Sequence, residues 1–433
     1  MDEVKGTYFF MYVMEKEEKM KKIGLIAITL SLVPLLFGTA VGAKKEVSFF
    51  LALYDGLRPE YYQDLNRAFN KANPDIDLKV IPVDWNKLHD KLVIAIAGGR
   101  PPDLSVIGTR WLLEFLDIGV AEPIEKYLSK ELLDNIEPGA MEARINNVLY
   151  ALPVAIGPRF LYYRSDIFKK YGIAGPPDTF EEMLANAQKI NDPPNLYGVG
   201  MSGKKYTELT EFAYYLLGND GYFFEINPDG SYGKCRINDE AGVGALTFMN
   251  DLVNKYKVTQ PGVTAYTRDD VQDLFASGKL GVILIGAFTE SILKQRGATF
   301  KWDYGLIPRF TGKDRHPLVI TDSIAMFKAS KNKEAAAKFL EFAYQDKWRF
   351  EFDKQVGFPP VLKSVGKMPY FQAPIYKVMV DSMPGAKGWP LIPEWAECGD
   401  IIWDAIGATF LGQKTPKQAL DEAAARIDEI RGE

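Results

Sequence analysis

Histidine and cysteine are scarce, with two of each in 433 residues. That leaves no spacing for a structural zinc site, which takes four such ligands. His89 falls inside a predicted helix and His316 in a polar loop beside Pro317; both read as surface residues, and a histidine-dependent triad finds little support. No GxSxG elbow occurs. No GxxxxGK[ST] loop occurs either, since Gly203-Lys204 is followed by Lys205. There is no block of Lys and Arg, and 57 acidic against 52 basic residues leave a net charge of −5. Such a chain is unsuited to neutralising phosphates, so no nucleic-acid partner is expected. Beyond one N-terminal run, no uncharged stretch reaches transmembrane length. These absences predict no metal and no cofactor, and they point away from catalysis.

Two motifs that are present carry little. Gly198-Val-Gly200-Met-Ser-Gly203 matches GxGxxG, but the turn Asn191-Asp-Pro-Pro-Asn195 precedes it where a dinucleotide site needs a strong strand. It reads as a glycine-rich strand end lining a cleft. Asn227-Pro-Asp-Gly230 lacks the remaining ligands of a calcium loop and reads as a turn between strands.

The N-terminus predicts export. Met20-Lys21-Lys22 opens a positive segment, an uncharged apolar run follows at 23–43, and Val41-x-Ala43 offers a signal-peptidase site. The stretch 1–19 is acidic (Asp2, Glu3, Glu15, Glu17, Glu18) and fits badly upstream, so translation is expected to start at Met20. A retained anchor is the competing reading; Pro34 and the small terminal residues favour cleavage. No cysteine follows the run, so no lipid anchor is expected. Cys235 and Cys398 could bond in an exported protein, but two distant cysteines do not declare a disulfide.

From residue 47 strands and helices alternate. Strands are predicted at 47–53, 76–83 and 104–107, with helices at 59–69 and 85–97 between them. After Pro153 come a strand at 160–163 and a helix at 165–171. Thr179 with Glu182 forms a capping box, Asn238 and Thr267 act as further N-caps, and a strand runs at 280–285. Helices at 332–344 and from Thr415, with Pro416 in its first turn, complete the pattern. Repeated βαβ units imply mostly parallel sheets covered by helices.

Open α/β sheets bind ligands beyond the carboxyl ends of their strands. Aromatic and charged residues gather at such ends: Tyr54-Asp55, Arg110-Trp111, Arg159, Phe288 and Glu394-Trp395. Several segments also occur in a telling order. They are Pro102-Asp103, Leu152-Pro153, Tyr163-Arg164-Ser165-Asp166, Phe275-Ala-Ser-Gly278-Lys-Leu-Gly281-Val282 and Ser330-Lys-Asn-Lys-Glu334-Ala335. In this order they resemble the family 1 extracellular solute-binding proteins of ABC importers, the group that includes maltose-binding proteins. The resemblance covers nearly all of the chain from residue 47. Arg164 replaces the usual Asn, and Gly281-Val282 replaces Ala-Met.

The resemblance implies a two-lobed α/β fold of the periplasmic-binding-protein type (class II), with the ligand in a cleft between the lobes. Residues 1–43 would be extension and signal peptide. Residues 44–155 and 321–363 would form lobe one, and 156–320 and 364–433 lobe two. It implies a monomer that delivers a sugar, oligosaccharide or polyol to the membrane subunits of an ABC permease, at the cell surface or in the periplasm. Tyr54, Trp111, Phe288 and Trp395 are the stacking candidates. Asp55, Arg110, Arg159, Glu208, Asp322 and Glu394 are the polar candidates, suited to paired hydroxyls. Each has a plainer reading: Arg110 as a surface cap, Phe288 as core, Asp322 as an ion-pair partner across the hinge. Trp395 and Trp403 share one helix; one is expected in the core, and Trp395, preceded by Pro393, is taken for the cleft. Two alternatives stay open. One is an acidic sugar, polyol phosphate or peptide, if Arg110, Arg159, Lys204 and Lys205 converge. The other is an exported carbohydrate-active enzyme, which would need two apposed carboxyls.

Overall fold

The computed structural model describes residues 44–54, 56–205 and 209–433. The expectations for the signal segment and start site, and those for Asp55 and Glu208, lie outside the described residues.

The first three strands follow the predicted alternation: β1 (Lys45–Leu53), β2 (Ile76–Asp84) and β3 (Leu104–Gly108). β1 pairs in parallel with β2 and with β3. Helix Pro59–Ala72 carries proline in its first turn and buries Tyr61, Leu65 and Phe69. That spacing of four sets one apolar stripe against the sheet. Helix Trp85–Ala97 starts directly at the end of β2, capped by the Asp84 carboxylate, which accepts from the Asn86 N–H.

The next strand departs from the expectation. The sequence pattern predicts a strand only from residue 160, but β4 (Ala151–Tyr163) has 13 residues, all buried, and runs through both Pro153 and Pro158. Proline removes a ladder donor and is rare inside sheets. Side chains from far along the chain donate to two carbonyls of this segment. The Tyr344 hydroxyl donates to the Pro153 carbonyl at 2.7 Å, and Arg349 Nη2 to the Val154 carbonyl at 2.7 Å. A break in register leaves Val154 out of the ladder at that point. Arg349 is itself neutralised by Asp353 at 2.5 Å, with both side chains buried.

β4 joins two sheets. Its first half pairs antiparallel with β8 (Val319–Met326), which pairs antiparallel with β3. Its second half pairs antiparallel with β6 (Leu280–Gly286) and β7 (Asp303–Leu306), and β6 pairs in parallel with β5 (Tyr197–Val199). The order is β2-β1-β3-β8-β4-β6-β5, with β7 off this path. The chain is a two-lobed α/β protein, and β4 carries the strand order from its parallel β1–β3 end to its β5–β7 end. A third segment runs beside the junction: Lys387 N–H donates to the Pro317 carbonyl at 2.8 Å, and Val319 N–H to the Lys387 carbonyl at 3.0 Å.

Two buried clusters fill the structure. One holds β1–β3, the helices 333–343 and 346–356, and Val365, Phe371, Tyr376 and Met379; it extends across the junction onto Phe160, Tyr162, Ile283 and Ile285. The other takes the alternate residues Leu161, Tyr163, Val282 and Leu284, with the helices 180–190, 395–410 and 416–431. The period-two alternation of β4 and β6 divides their side chains between the two.

Local expectations met mixed outcomes. The capping box expected at Thr179 forms, the expected N-cap at Thr267 forms as a box with Asp270, and the helix expected from Thr415 starts there, with Thr415 and Gln418 making a box not expected from the sequence. The cap expected at Asn238 is made by Asp239, whose carboxylate accepts from Gly242 N–H. Residues 227–230 turn between the antiparallel strands Phe224–Ile226 and Tyr232–Cys235. Gly198 and Gly200 do not line a cleft. A Cβ on Gly198 would come within 2.6 Å of the Ala187 carbonyl, and one on Gly200 within 2.6 Å of Val271, so the GxGxxG match serves close packing of helices on β5.

Candidate functional site

The carboxyl ends of the three parallel strands meet at one place. β1 leads to Tyr54, β2 to Asp84-Trp85-Asn86, and β3 to Thr109-Arg110-Trp111. Their aromatic rings form a ladder. Trp85 stacks on Tyr54 at 5.8 Å and 28°, and on Trp111 at 5.4 Å and 23°. His89, one helical turn beyond Trp85, adds its ring 4.8 Å from Trp111, with Nε2 at 2.8 Å from Glu114. His89 was expected at the surface; this packing and Glu114 hold it against the ladder instead.

Arg110 is buried, not a surface cap. Its guanidinium lies 4.9 Å from the Trp111 ring and 5.8 Å from Trp85. Glycine makes the room: a Cβ on Gly108 would sit 2.5 Å from Arg110 Nη1. The turn 109–111 is tied to β8 by the 2.8 Å hydrogen bond between the Thr109 and Ser323 hydroxyls. Asp322, paired with Gly108 across the ladder, accepts from the Tyr54 hydroxyl at 3.0 Å. Burial, and then Asp322, hold the Tyr54 hydroxyl well above its ordinary pKa, so it stays a donor. Glu142 belongs to the same electrostatic group. Burial pushes its carboxyl up to about 7, Arg110 pulls it down and Asp322 pushes it up.

The facing residues lie on and around β4 and β6. Arg159 on β4 stands opposite Gly286 on β6. A Cβ on Gly286 would overlap both the Phe288 ring and Arg159 Nη1, so glycine there is the cradle for both. The Arg159 and Arg268 guanidiniums lie 5.8 and 5.2 Å from the Phe288 ring. Phe358 meets Phe288 edge-on at 5.7 Å.

Two cavities run between these walls and share Asn86. The first, about 660 Å³ of free space open to solvent, is bounded by Tyr54, Trp85, Asp322 and Phe358 with Arg159, Arg268, Asp269 and Phe288. The second, about 1580 Å³, has Trp111, Arg110 and His89 on one side and Trp395, Trp403 and Lys205 on the other. Tyr54, Arg159, Phe288 and Asp322 thus come together in one, and Arg110, Trp111 and Trp395 in the other. Glu394 lines neither; it is the N-cap of helix Trp395–Phe410. Trp395 and Trp403 both belong to the buried cluster and both line this cavity, so the helix does not divide them into one core ring and one cleft ring.

The four cations considered for an anion site are dispersed. Arg159 lines the first cavity, and Arg110 and Lys205 the second; Lys204 lines neither. Lys205 is engaged by Asp400 at 2.5 Å.

Sequence reasoning passed over Trp85, Asn86, Arg268, Asp269 and Phe358. Trp85 had a legible signal, because Asp84-Trp85-Asn86 follows a predicted parallel strand and obeys the strand-end rule that selected Tyr54 and Trp111. Arg268 had none: Thr267 announces a helix start, but nothing local says that this start faces a cleft.

Residues 55–349 match the family described as bacterial extracellular solute-binding protein. A binding protein of Brucella abortus is 35% identical over 94% of this chain and 98% of its own length. Among solved structures, a solute-binding protein of an ABC transporter from Thermotoga lettingae, bound with α-D-tagatose, superposes with a TM-score of 0.81 at 25% identity, covering 89% of this chain and all of that one. A maltose-bound protein of T. maritima gives 0.79 at 25% identity, covering 89% and 99%. No helix among the described residues is long and apolar enough to cross a membrane. The chain belongs to the bacterial extracellular solute-binding protein family.

Proposed function

We propose that this protein is the exported substrate-binding protein of an ABC importer, that it carries a sugar, oligosaccharide or polyol in the interlobe cleft, and that it hands its load to the permease as a monomer without turning it over. The observation that carries this reading is the pair of neighbouring cavities, sharing Asn86 and walled by aromatic rings, with Arg110, Arg159, Arg268, Asp269 and Asp322 among them. Sugar C–H faces pack on such rings, while arginine forks and carboxylates engage neighbouring hydroxyls. Tyr54, Trp85, Trp111, Phe288 and Trp395 would take the first role, and Arg110, Arg159 and Asp322 the second. The relatives bound with maltose and tagatose support a ligand of this class. A ligand that touches both walls binds the closed form better and so shifts the population towards it.

A thermal-shift screen over mono-, di- and oligosaccharides and polyols tests the reading, since a ligand that binds only the folded state raises the melting temperature. At least one of these solutes is expected to raise it, with the dissociation constant then measured by calorimetry. If none does, the carbohydrate assignment fails. Release of products from a bound oligosaccharide would replace transport by catalysis.

A further inference from the structure

Cys235 and Cys398 are buried and take no part in the cleft contacts described above. They lie far apart in the chain but in one corner of lobe two. Cys235 ends strand Tyr232–Cys235 and pairs across the ladder with Phe224. The Phe224 ring reaches Trp395 at 6.5 Å, and Cys398 follows Trp395 by three positions on the same face of helix Trp395–Phe410. The Arg431 guanidinium, 4.5 Å from the Phe224 ring, acts on both thiols. Both cysteines belong to the same buried cluster.

We propose that Cys235 and Cys398 form an intramolecular disulfide when the chain folds under oxidising conditions, fastening the hairpin 224–235 to the helix that carries Trp395. Burial pushes both thiols up to about 12, so they are poor nucleophiles once enclosed, and the bond forms before the corner closes. The oxidant is a small disulfide. The thiolate of one cysteine attacks it, making a mixed disulfide and releasing one thiolate. The thiolate of the other then attacks the protein sulfur of that mixed disulfide, forming the internal bond and releasing the second small thiolate. The protein loses two protons and two electrons, and the small disulfide is reduced to two thiols.

The test needs neither a ligand nor a known location. The full chain is unfolded with reductant, refolded in a mixture of reduced and oxidised glutathione, blocked with iodoacetamide and mapped by mass spectrometry. A second sample, never unfolded, is treated with oxidised glutathione and mapped in the same way as a control, in which the enclosed thiols should react far more slowly than in the refolded sample. The expected result is one linked peptide pair containing Cys235 and Cys398. Dithiothreitol should then lower the melting temperature of the oxidised wild type by several degrees while leaving Cys235→Ala unmoved. Alkylation of both thiols in both samples, or only glutathione adducts or intermolecular dimers, would overturn the proposal.

Discussion

Trp111→Ala probes the ladder at its best-connected ring. Trp111 is 4% exposed, stacks on Trp85 at 5.4 Å, meets His89 at 4.8 Å and carries the Arg110 guanidinium at 4.9 Å. Ring pairs and cation–ring contacts are each worth roughly 0.5–1.5 kcal/mol. Truncating a buried tryptophan costs about 3–5 kcal/mol of stability. The ring also lines the second cavity, so a sugar packed on it should lose about 1.4 kcal/mol, a tenfold weaker dissociation constant, or more. Trp111→Phe keeps a ring against Trp85 and should fall between the two. Circular-dichroism melts report the stability term, and calorimetry with the solute found by screening reports the affinity term. The two separate cleanly: a folded Trp111→Ala protein that melts lower but binds as tightly as the wild type would make Trp111 core only and remove it from the site.

Gly286→Ala tests the cradle under Phe288 and Arg159. The added Cβ would overlap both side chains and should weaken binding several-fold by moving them; an unchanged calorimetric isotherm would show that neither bears on the ligand. Glu211 tests a buried acid away from both cavities. Burial pushes its carboxyl from 4.5 up to about 7, against the 2.7 Å hydrogen bond from the Ser202 hydroxyl. The folded state therefore holds the proton that the unfolded state gives up, and this contribution is full below pH 4.5 and lost as pH rises towards 7, by about 3 kcal/mol at most. Glu211→Gln should flatten the melting temperature between pH 5 and 8 and exceed the wild type at the upper end. Parallel pH profiles for the two proteins would refute the buried-acid account.

Much of the fold was legible in the linear sequence, for specific reasons. Helix Trp85–Ala97, the box at Thr179 and the helix start at Thr415 depend on nearest-neighbour chemistry, which the order of residues carries directly. Tyr54 and Arg110-Trp111 were found because parallel strands deliver their ends to one edge. The first half of β4 was missed because Pro153 and Pro158 break the local strand pattern, and the Tyr344 and Arg349 groups that satisfy it come from nearly 200 residues away. His89 was misplaced for a similar reason: its helix phase was right, but only Trp111 and Glu114, from the next βα unit, show which side faces a partner. Glu394 and Trp395 are adjacent in sequence, yet only Trp395 lines a cavity, so one cannot vouch for the other.

The sequence by itself determined the alternation of strands and helices, the ordered motifs of the family and the aromatic stock at strand ends, since all of these are written in local pattern and spacing. Only the tertiary structure decided that Trp85 bridges Tyr54 and Trp111, that Arg268 faces Phe288, that Lys205 is engaged by Asp400 and that Cys235 and Cys398 share a corner. The physical reason is that a cleft is built from surfaces that two lobes bring together, and such contacts join residues whose separation along the chain leaves no periodic trace.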